Sequence, residues 1–232
     1  MMNENAHILV VDDDIGIQRA LQRSLSAYGY QVSTVSTGEE ALEEIARKRP
    51  DLVLLDLGLP GMSGLDVCEK IRAGSNLPII VLSIKNAEQD KVRALDLGAD
   101  DYVSKPFGIN EVLARVRVAL RHATQRYPET EQVVKAGSLT IDFAKRKVLV
   151  GGRDIKLTPT EYELLAALVQ HTGKIMTRHM LLSQVWGNGY EADAHYLHVY
   201  VAHLRQKIEP DPAHPCFILT IPGVGYRFNS EF

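Results

Sequence analysis

Asp51-Leu52-Val53-Leu54-Leu55-Asp56-Leu57-Gly58-Leu59-Pro60-Gly61 decides the fold of this 232-residue chain. Four consecutive aliphatic residues run into a carboxylate, and glycine and proline follow at once. A short apolar run closed by turn residues reads as a strand buried on both faces of a parallel sheet. Ligands of open parallel sheets lie beyond the carboxyl ends of the strands, so Asp56 stands where such a fold does its chemistry.

The flanking sequence alternates in the same style. His7–Val11 reads as a strand followed by Asp12-Asp13-Asp14. Ile15–Tyr28 reads as a helix with Ile17, Leu21 and Leu25 on one face, ended by Gly29. Gln31–Val35 and Gly38–Arg49 form the next strand and helix. After the Asp56 strand come a helix over about Ser63–Arg72, an apolar strand over Pro78–Ser83 and a helix over Ala87–Leu97. Asp101–Ser104 is a short strand and Asn110–Arg121 a helix. Five strand–helix units, with no internal repeat, predict a doubly wound α/β domain.

The polar residues at the strand ends form a set: Asp12 and Asp13, Asp56, Ser83 and Lys105. A parallel sheet brings all of them to one edge. A lone Asp after a strand is usually a helix cap, and Asp14 reads as that. Crowded carboxylates repel one another unless a cation joins them. Mg²⁺ takes hard oxygen ligands and keeps positions open for water and phosphate. Asp56 is then placed to act as a carboxylate nucleophile toward a phosphoryl group. Lys105 would neutralise charge on the phosphoryl oxygens and Ser83 would donate a hydrogen bond to one.

These segments resemble response-regulator receiver domains. Ile8-Leu9-Val10-Val11-Asp12-Asp13, Asp56-Leu57-Gly58-Leu59-Pro60 and Asp100-Asp101-Tyr102-Val103-Ser104-Lys105-Pro106-Phe107 carry the resemblance over roughly residues 5–123. It implies a five-stranded, flavodoxin-like receiver in which Asp56 accepts a phosphoryl group from a sensor histidine kinase. It implies Asp13 as the direct carboxylate ligand of Mg²⁺, Asp12 acting through water, the backbone carbonyl of Gly58 as a further ligand, and a cis Lys105–Pro106 bond. Gly58 and Lys85 would flank the path of attack. Ser83 and Tyr102 would form a switch that alters the face made by the helix from Ala87, the strand at Asp101 and the helix from Asn110. In this family that face pairs two receivers, so Lys91–Glu111, Asp101–Arg115 and Asp96–Arg117 are expected to join two copies. By themselves these charges equally suit a solvated face with intrachain pairs such as Glu111–Arg115.

Composition narrows the setting. No run is long and apolar enough to cross a bilayer, and no signal-peptide pattern opens the chain. Cys68 and Cys216 lie far apart and form no metal-ligand pattern, which suits a cytoplasmic protein with free thiols. Residues 1–124 carry 14 Lys+Arg against 18 Asp+Glu, and residues 125–232 carry 12 against 11. The first half suits a metal ion. The second is less basic than a typical DNA-binding domain.

Thr124–Gln132 is polar, contains Pro128 and reads as a linker between domains at 1–123 and 133–232. Leu139–Phe143 alternates like a half-buried strand. Lys147–Val150 and Asp154–Leu157 form a hairpin around Gly151-Gly152. Thr158-Pro159-Thr160-Glu161 opens a helix with a capping box, its apolar face made by Leu164, Leu165, Leu168 and Val169. Helices follow over about Arg178–Trp186 and Ala192–Ile208, the latter with Leu197, Val201, Leu204 and Ile208 in one stripe. Two strands with a tight turn, Phe217–Ile221 and Pro222–Phe228, complete a winged helix.

Leu157-Thr158-Pro159-Thr160-Glu161-Tyr162-Glu163-Leu164-Leu165, Val185-Trp186-Gly187, Leu204-Arg205-Gln206-Lys207-Ile208 and Gly223-Val224-Gly225-Tyr226-Arg227-Phe228 resemble the effector domain of the OmpR/PhoB family. Within that family, the stretches around Asp56, Lys105 and Val199–Lys207 are most similar to regulators of potassium-pump operons. The resemblance implies that His195, Tyr196, His198, Tyr200, His203 and Arg205 face promoter DNA, that Thr220 and Gly223 touch it from the wing, and that the Gly187–Glu191 loop meets RNA polymerase. Ala202, His203 and Pro222 stand where many relatives carry arginine, so a shallower salt dependence is expected. The histidines predict DNA binding that strengthens as pH falls through the range where imidazole protonates. The expected function is a phosphorylation-switched transcription factor, homodimeric when phosphorylated and not an enzyme. The first alternative is a different OmpR/PhoB-type regulon, followed by a Mg-dependent phosphohydrolase and an adaptor that binds no DNA.

Overall fold

The computed structural model describes residues 5–84, 93–124, 133–187 and 196–230. Lys85, Lys91, His195, most of the 187–191 loop and most of the expected linker lie outside them. The chain divides into two compact units, Met1–Ala123 and Thr124–Phe232.

The first unit contains β1 (His7–Val11), α1 (Ile15–Ala27), β2 (Gln31–Val35), α2 (Gly38–Lys48), β3 (Leu52–Asp56), α3 (Gly64–Gly74), β4 (Ile79–Ile84), β5 (Asp101–Lys105) and α4 (Ile109–Thr124). Its sheet is parallel, in the order β2-β1-β3-β4-β5. β3 is central and buried along its whole length, which is why it reads as a continuous apolar run. The chain winds from β1 outward to β2 and then crosses to β3. The crevice at that reversal opens at the carboxyl ends of β1 and β3, where Asp12 and Asp56 stand.

Local sequence sets the helix starts around this crevice. The Asp14 side chain accepts from the backbone N–H groups of Gly16 and Ile17 and caps α1. Thr37 and Ser63 cap α2 and α3 in the same way. α3 begins hard against the end of β3: a Cβ on Gly64 would lie 2.1 Å from the Asp56 carbonyl oxygen. Gly64→Ala is therefore expected to displace that strand end and to destabilise the unit by about 1–3 kcal/mol, read as a lower denaturation midpoint.

Cys68 sits within α3 with no exposed surface, and burial pushes its thiol up to about 11. At pH 8 its thiolate fraction falls about 100-fold below that of an ordinary cysteine. Alkylation of Cys68 in the folded chain should be slower than in the denatured chain by at least that factor, as followed by mass spectrometry.

The second unit opens with an antiparallel sheet of β6 (Val133–Ala136), β7 (Leu139–Asp142), β8 (Lys147–Val150) and β9 (Arg153–Ile155). Then come α5 (Pro159–Gln170), β10 (Ile175–Thr177), α6 (Arg178–Val185), α7 (Tyr196–Ile208), β11 (Ile218–Ile221) and β12 (Gly225–Phe228). The last two strands form the wing, and β10 adds to the outer side of β12. The capping box at Thr158 and Glu161 forms, with Pro159 in the first turn. α5 is buried on every side from Thr160 to Val169, rather than on one apolar face. Its two buried carboxylates are tolerated because Lys207 lies 2.6 Å from Glu161 and Arg146 lies 2.9 Å from Glu163. The expected stripe of α7, Leu197, Val201, Leu204 and Ile208, is buried. Among the described residues, no helix is long and apolar enough to cross a membrane.

Candidate functional site

The carboxyl edge of the parallel sheet gathers the expected acidic cluster. Asp12 is fully buried and Asp56 nearly so, whereas Asp13 is exposed. Carboxylate oxygens of the three lie within 4.8 Å of one another. Lys105, at the end of β5, reaches across β4 and places Nζ 2.7 Å from Asp12 Oδ2 and 2.9 Å from Asp56 Oδ2. Ser83 is buried one residue beyond Leu82, the residue paired with Asp56 across the β3–β4 ladder. Gly58 is exposed, and a Cβ there would lie 3.7 Å from Asp56 Oδ2, so any larger residue at 58 would overhang the carboxylate. The Lys105–Pro106 bond is cis.

Among the described residues, the Lys105 ammonium is paired with two carboxylates of the cluster, Asp12 and Asp56. Burial pushes the Asp12 carboxyl above its ordinary range, against the opposing hydrogen bond from Lys105. Burial also pulls the Lys105 ammonium down, but its hydrogen bonds and attraction to Asp12 and Asp56 outweigh that and leave it raised. A carboxyl raised on folding contributes stability below its ordinary range and loses it as pH rises through the raised value. Ionising the buried Asp12 carboxylate at neutral pH therefore costs stability, and an added cation beside it would offset that cost. Hard oxygen donors, surplus negative charge and an exposed side at Asp13 fit a divalent ion.

Gln18 carried no signal in the sequence. Its buried amide donates to the carbonyls of Asp12 and Val35 and to Ser36 Oγ, tying the ends of β1 and β2 together beneath the cluster.

The face expected to pair two receivers is arranged differently. Arg115 is buried, and its guanidinium donates to Asp101 Oδ1 at 2.9 Å and to Glu111 Oε1 at 2.9 Å within the same chain. It also lies 5.6 Å from the centre of the Tyr102 ring, which is itself buried. Asp101 and Arg115 thus form an intrachain pair rather than standing apart for a second copy, because β5 and α4 pack side by side. Asp96, Glu111 and Arg117 are exposed, as expected of that face.

On the winged helix, Tyr200 is a correction. It is buried, and its ring centre lies 5.1 Å from that of Trp186. Position 200 falls three residues after Leu197 and four before Leu204, inside the apolar stripe, so it cannot face DNA. Of the other expected positions, His198 on α7 and Thr220 and Gly223 on the wing are exposed, and His203 is half-buried. Arg205 is half-buried and bound to the wing, donating to the Ile218 carbonyl at 2.6 Å and to Thr220 Oγ1 at 2.8 Å. Tyr196 is the first described residue of α7, and its side chain lies outside what is described. One residue of this region carried no sequence signal: Glu209, which holds the start of β11.

Comparison with known proteins agrees with both units. Residues 8–117 match the response regulator receiver domain, and residues 152–228 match the C-terminal domain of transcriptional regulatory proteins. The transcriptional regulatory protein KdpE of Mycobacterium tuberculosis is 49% identical over 96% of this chain and 99% of its own length. The KDP operon transcriptional regulatory protein KdpE of Escherichia coli is 45% identical over 96% and 98%. The DNA-binding response regulator MtrA of Mycolicibacterium smegmatis is 44% identical over 95% of each. Among solved structures, a point mutant of RitR superposes with a TM-score of 0.76 at 28% identity, covering 97% of this chain and 99% of that one. DrrB of Thermotoga maritima, an OmpR/PhoB homologue, does so with a TM-score of 0.53 at 32% identity over 97% and 99%.

Proposed function

The chain belongs to the OmpR/PhoB-type response regulators, DNA-binding regulators of transcription rather than enzymes, and from that premise we propose that Asp56 is its phosphoacceptor. The observation that carries this is the meeting of Asp12, Asp13 and Asp56 within 4.8 Å at the β1–β3 crevice, with Lys105 2.9 Å from Asp56. A carboxylate oxygen of Asp56 attacks the phosphorus of a kinase phosphohistidine. The P–N bond breaks, its electrons stay with the imidazole, and a mixed anhydride forms on Asp56. Lys105 holds a positive charge beside the incoming oxygens, and the Ser83 hydroxyl donates to one of them. Asp12, Asp13, Asp56 and the Gly58 carbonyl would hold Mg²⁺, which when bound offsets the charge on the phosphoryl oxygens.

The added charge biases Ser83, Tyr102 and the face beside them toward a paired receiver. Asp96, Glu111, Arg117 and Lys91 contribute to that pairing, and Arg115 and Asp101 join it by opening or sharing their intrachain contact. Two effector domains then bind neighbouring half-sites of a promoter in the cytoplasm, with α7 in the major groove and the wing beside it. His195, Tyr196, His198 and His203 face the duplex from α7 and its approach, Thr220 and Gly223 from the wing. Arg205 adds its charge from between them, and the 187–191 loop meets RNA polymerase. The likeness to the two KdpE proteins favours an operon for potassium transport.

Footprinting on genomic DNA tests this. Acetyl phosphate with Mg²⁺ should bring protection at lower protein concentration, and a chelator added before the donor should cancel the gain. Identical footprints with and without donor would overturn it.

A further inference from the structure

Gln18 is buried in α1, in the same stripe as Leu21 and Leu25. A buried amide in such a stripe costs stability unless it is hydrogen-bonded. Its nitrogen lies 2.6 Å from the Asp12 carbonyl, 3.0 Å from the Val35 carbonyl and 3.0 Å from Ser36 Oγ. Carbonyls only accept, so the NH₂ end of the amide is the end that faces them. The Asp12 N–H bonds to the same Val35 carbonyl at 3.2 Å. Both polar groups of the Asp12 backbone are therefore held.

We infer that Gln18 is a positioning residue for cation binding, acting on Asp13 through the peptide that joins it to Asp12. The inference rests on the reading that Asp13 helps to hold Mg²⁺. A peptide unit is planar, so a bond that fixes the Asp12 carbonyl also fixes the N–H of Asp13 and the direction in which its Cα leaves. Asp14 holds the other side: its N–H bonds to Asp12 Oδ1 at 3.0 Å, and its carboxylate caps α1. Asp13 itself is exposed, so packing does not hold its side chain. Its carboxylate comes within 4.8 Å of those of Asp12 and Asp56 because the backbone on both sides of it is tied down. Without the Gln18 bond that peptide can turn, and the ion must order Asp13 as it binds, at an entropic cost. Groups that orient a metal ligand in this way are worth about 10–100-fold in affinity. Being neutral, the amide orients the cluster without neutralising it, which leaves the negative charge for the ion.

The probe is Mn²⁺, which takes the same oxygen donors and whose free form is counted by electron paramagnetic resonance, with Mg²⁺ as competitor and the full-length chain as host. Gln18→Met fills the same space with no donor and should weaken Mn²⁺ binding about tenfold. Should that variant not fold, Gln18→Asn keeps a buried amide one methylene short of the Asp12 carbonyl and should show the same loss. Asp13→Asn should weaken binding too, and adding Gln18→Met to it should cost nothing more. Ser36→Ala removes only the third partner of the amide and should leave the affinity unchanged. Full affinity in Gln18→Met, or a further loss on the Asp13→Asn background, would overturn the inference and leave the metal site standing. A loss in Ser36→Ala equal to that in Gln18→Met would reduce Gln18 to a structural tie between β1 and β2. No loss in Asp13→Asn, or no Mn²⁺ bound by the unaltered chain, would overturn the reading of the acidic cluster itself.

Discussion

Asp56→Ala should abolish donor-stimulated promoter occupancy while leaving basal binding by the winged helix unchanged. On the proposed function, a covalent phosphoryl group at the β1–β3 crevice would alter the receiver, and pairing of receivers would convert the second DNA contact into an intramolecular one. Effective concentration alone then yields about 10²–10⁴-fold tighter binding, without any new contact to DNA. Alanine offers no oxygen for the anhydride, so no phosphoryl group is taken up and the whole of that gain disappears. The remaining carboxylates, Asp12 and Asp13, do not substitute. Asp12 is fully buried and already bound by Lys105, and Asp13 is exposed on the loop after β1 rather than at the end of the central strand. Titrating promoter DNA with both proteins, with and without acetyl phosphate, reads the difference, and mass spectrometry reads the acyl phosphate. An Asp56→Ala protein that still tightens its hold on DNA when given a donor would refute the assignment.

The parts of this molecule that were legible in its sequence are those written in short-range code. The run Leu52–Leu55 announced a strand buried on both faces, and the crevice position of Asp56 followed from it. Asp14 was readable as a cap, and so was the Thr158–Glu161 box, because capping needs only residues two or three apart. The cluster of Asp12, Asp13 and Asp56 was readable because a parallel sheet fixes which strand ends share an edge. What escaped depends on which side chains meet across the fold. That Arg115 turns inward to Asp101 is set by how closely α4 packs on β5, and charge pattern alone does not encode it. Tyr200 was misplaced because a tyrosine on a helix suits both a core and a groove, and only its spacing from Leu197 and Leu204 decided. β10 has three residues, too few to show a period, and exists because β12 offers it an edge. Gln18 acts entirely through partners on other elements, as does Glu209.

Glu209→Ala is expected to destabilise the winged-helix unit by about 3 kcal/mol or more. Glu209 follows the last turn of α7, where its backbone N–H still bonds to the Arg205 carbonyl. Its buried carboxylate then accepts from three successive backbone N–H groups: Cys216 at 2.8 Å, Phe217 at 3.0 Å and Ile218 at 2.8 Å. Those groups lead the chain into β11. Alanine removes the acceptor they share, and each buried donor left unsatisfied costs about 1–3 kcal/mol. Glutamine is expected to rescue little, since its amide turns one of the two accepting oxygens into a donor facing other donors. The single tryptophan, Trp186, is buried in this unit, so its fluorescence during urea unfolding of the full chain reports the winged helix alone. Phosphoryl uptake at Asp56 should survive the substitution, because the receiver is a separate compact unit. The wing bears the consequence: β11 carries Thr220 and the carbonyl that holds Arg205, so loosening its start frees α7 from its hairpin. An unfolding midpoint that moves by less than the equivalent of about 0.5 kcal/mol would mean that water satisfies those N–H groups as well as the carboxylate does.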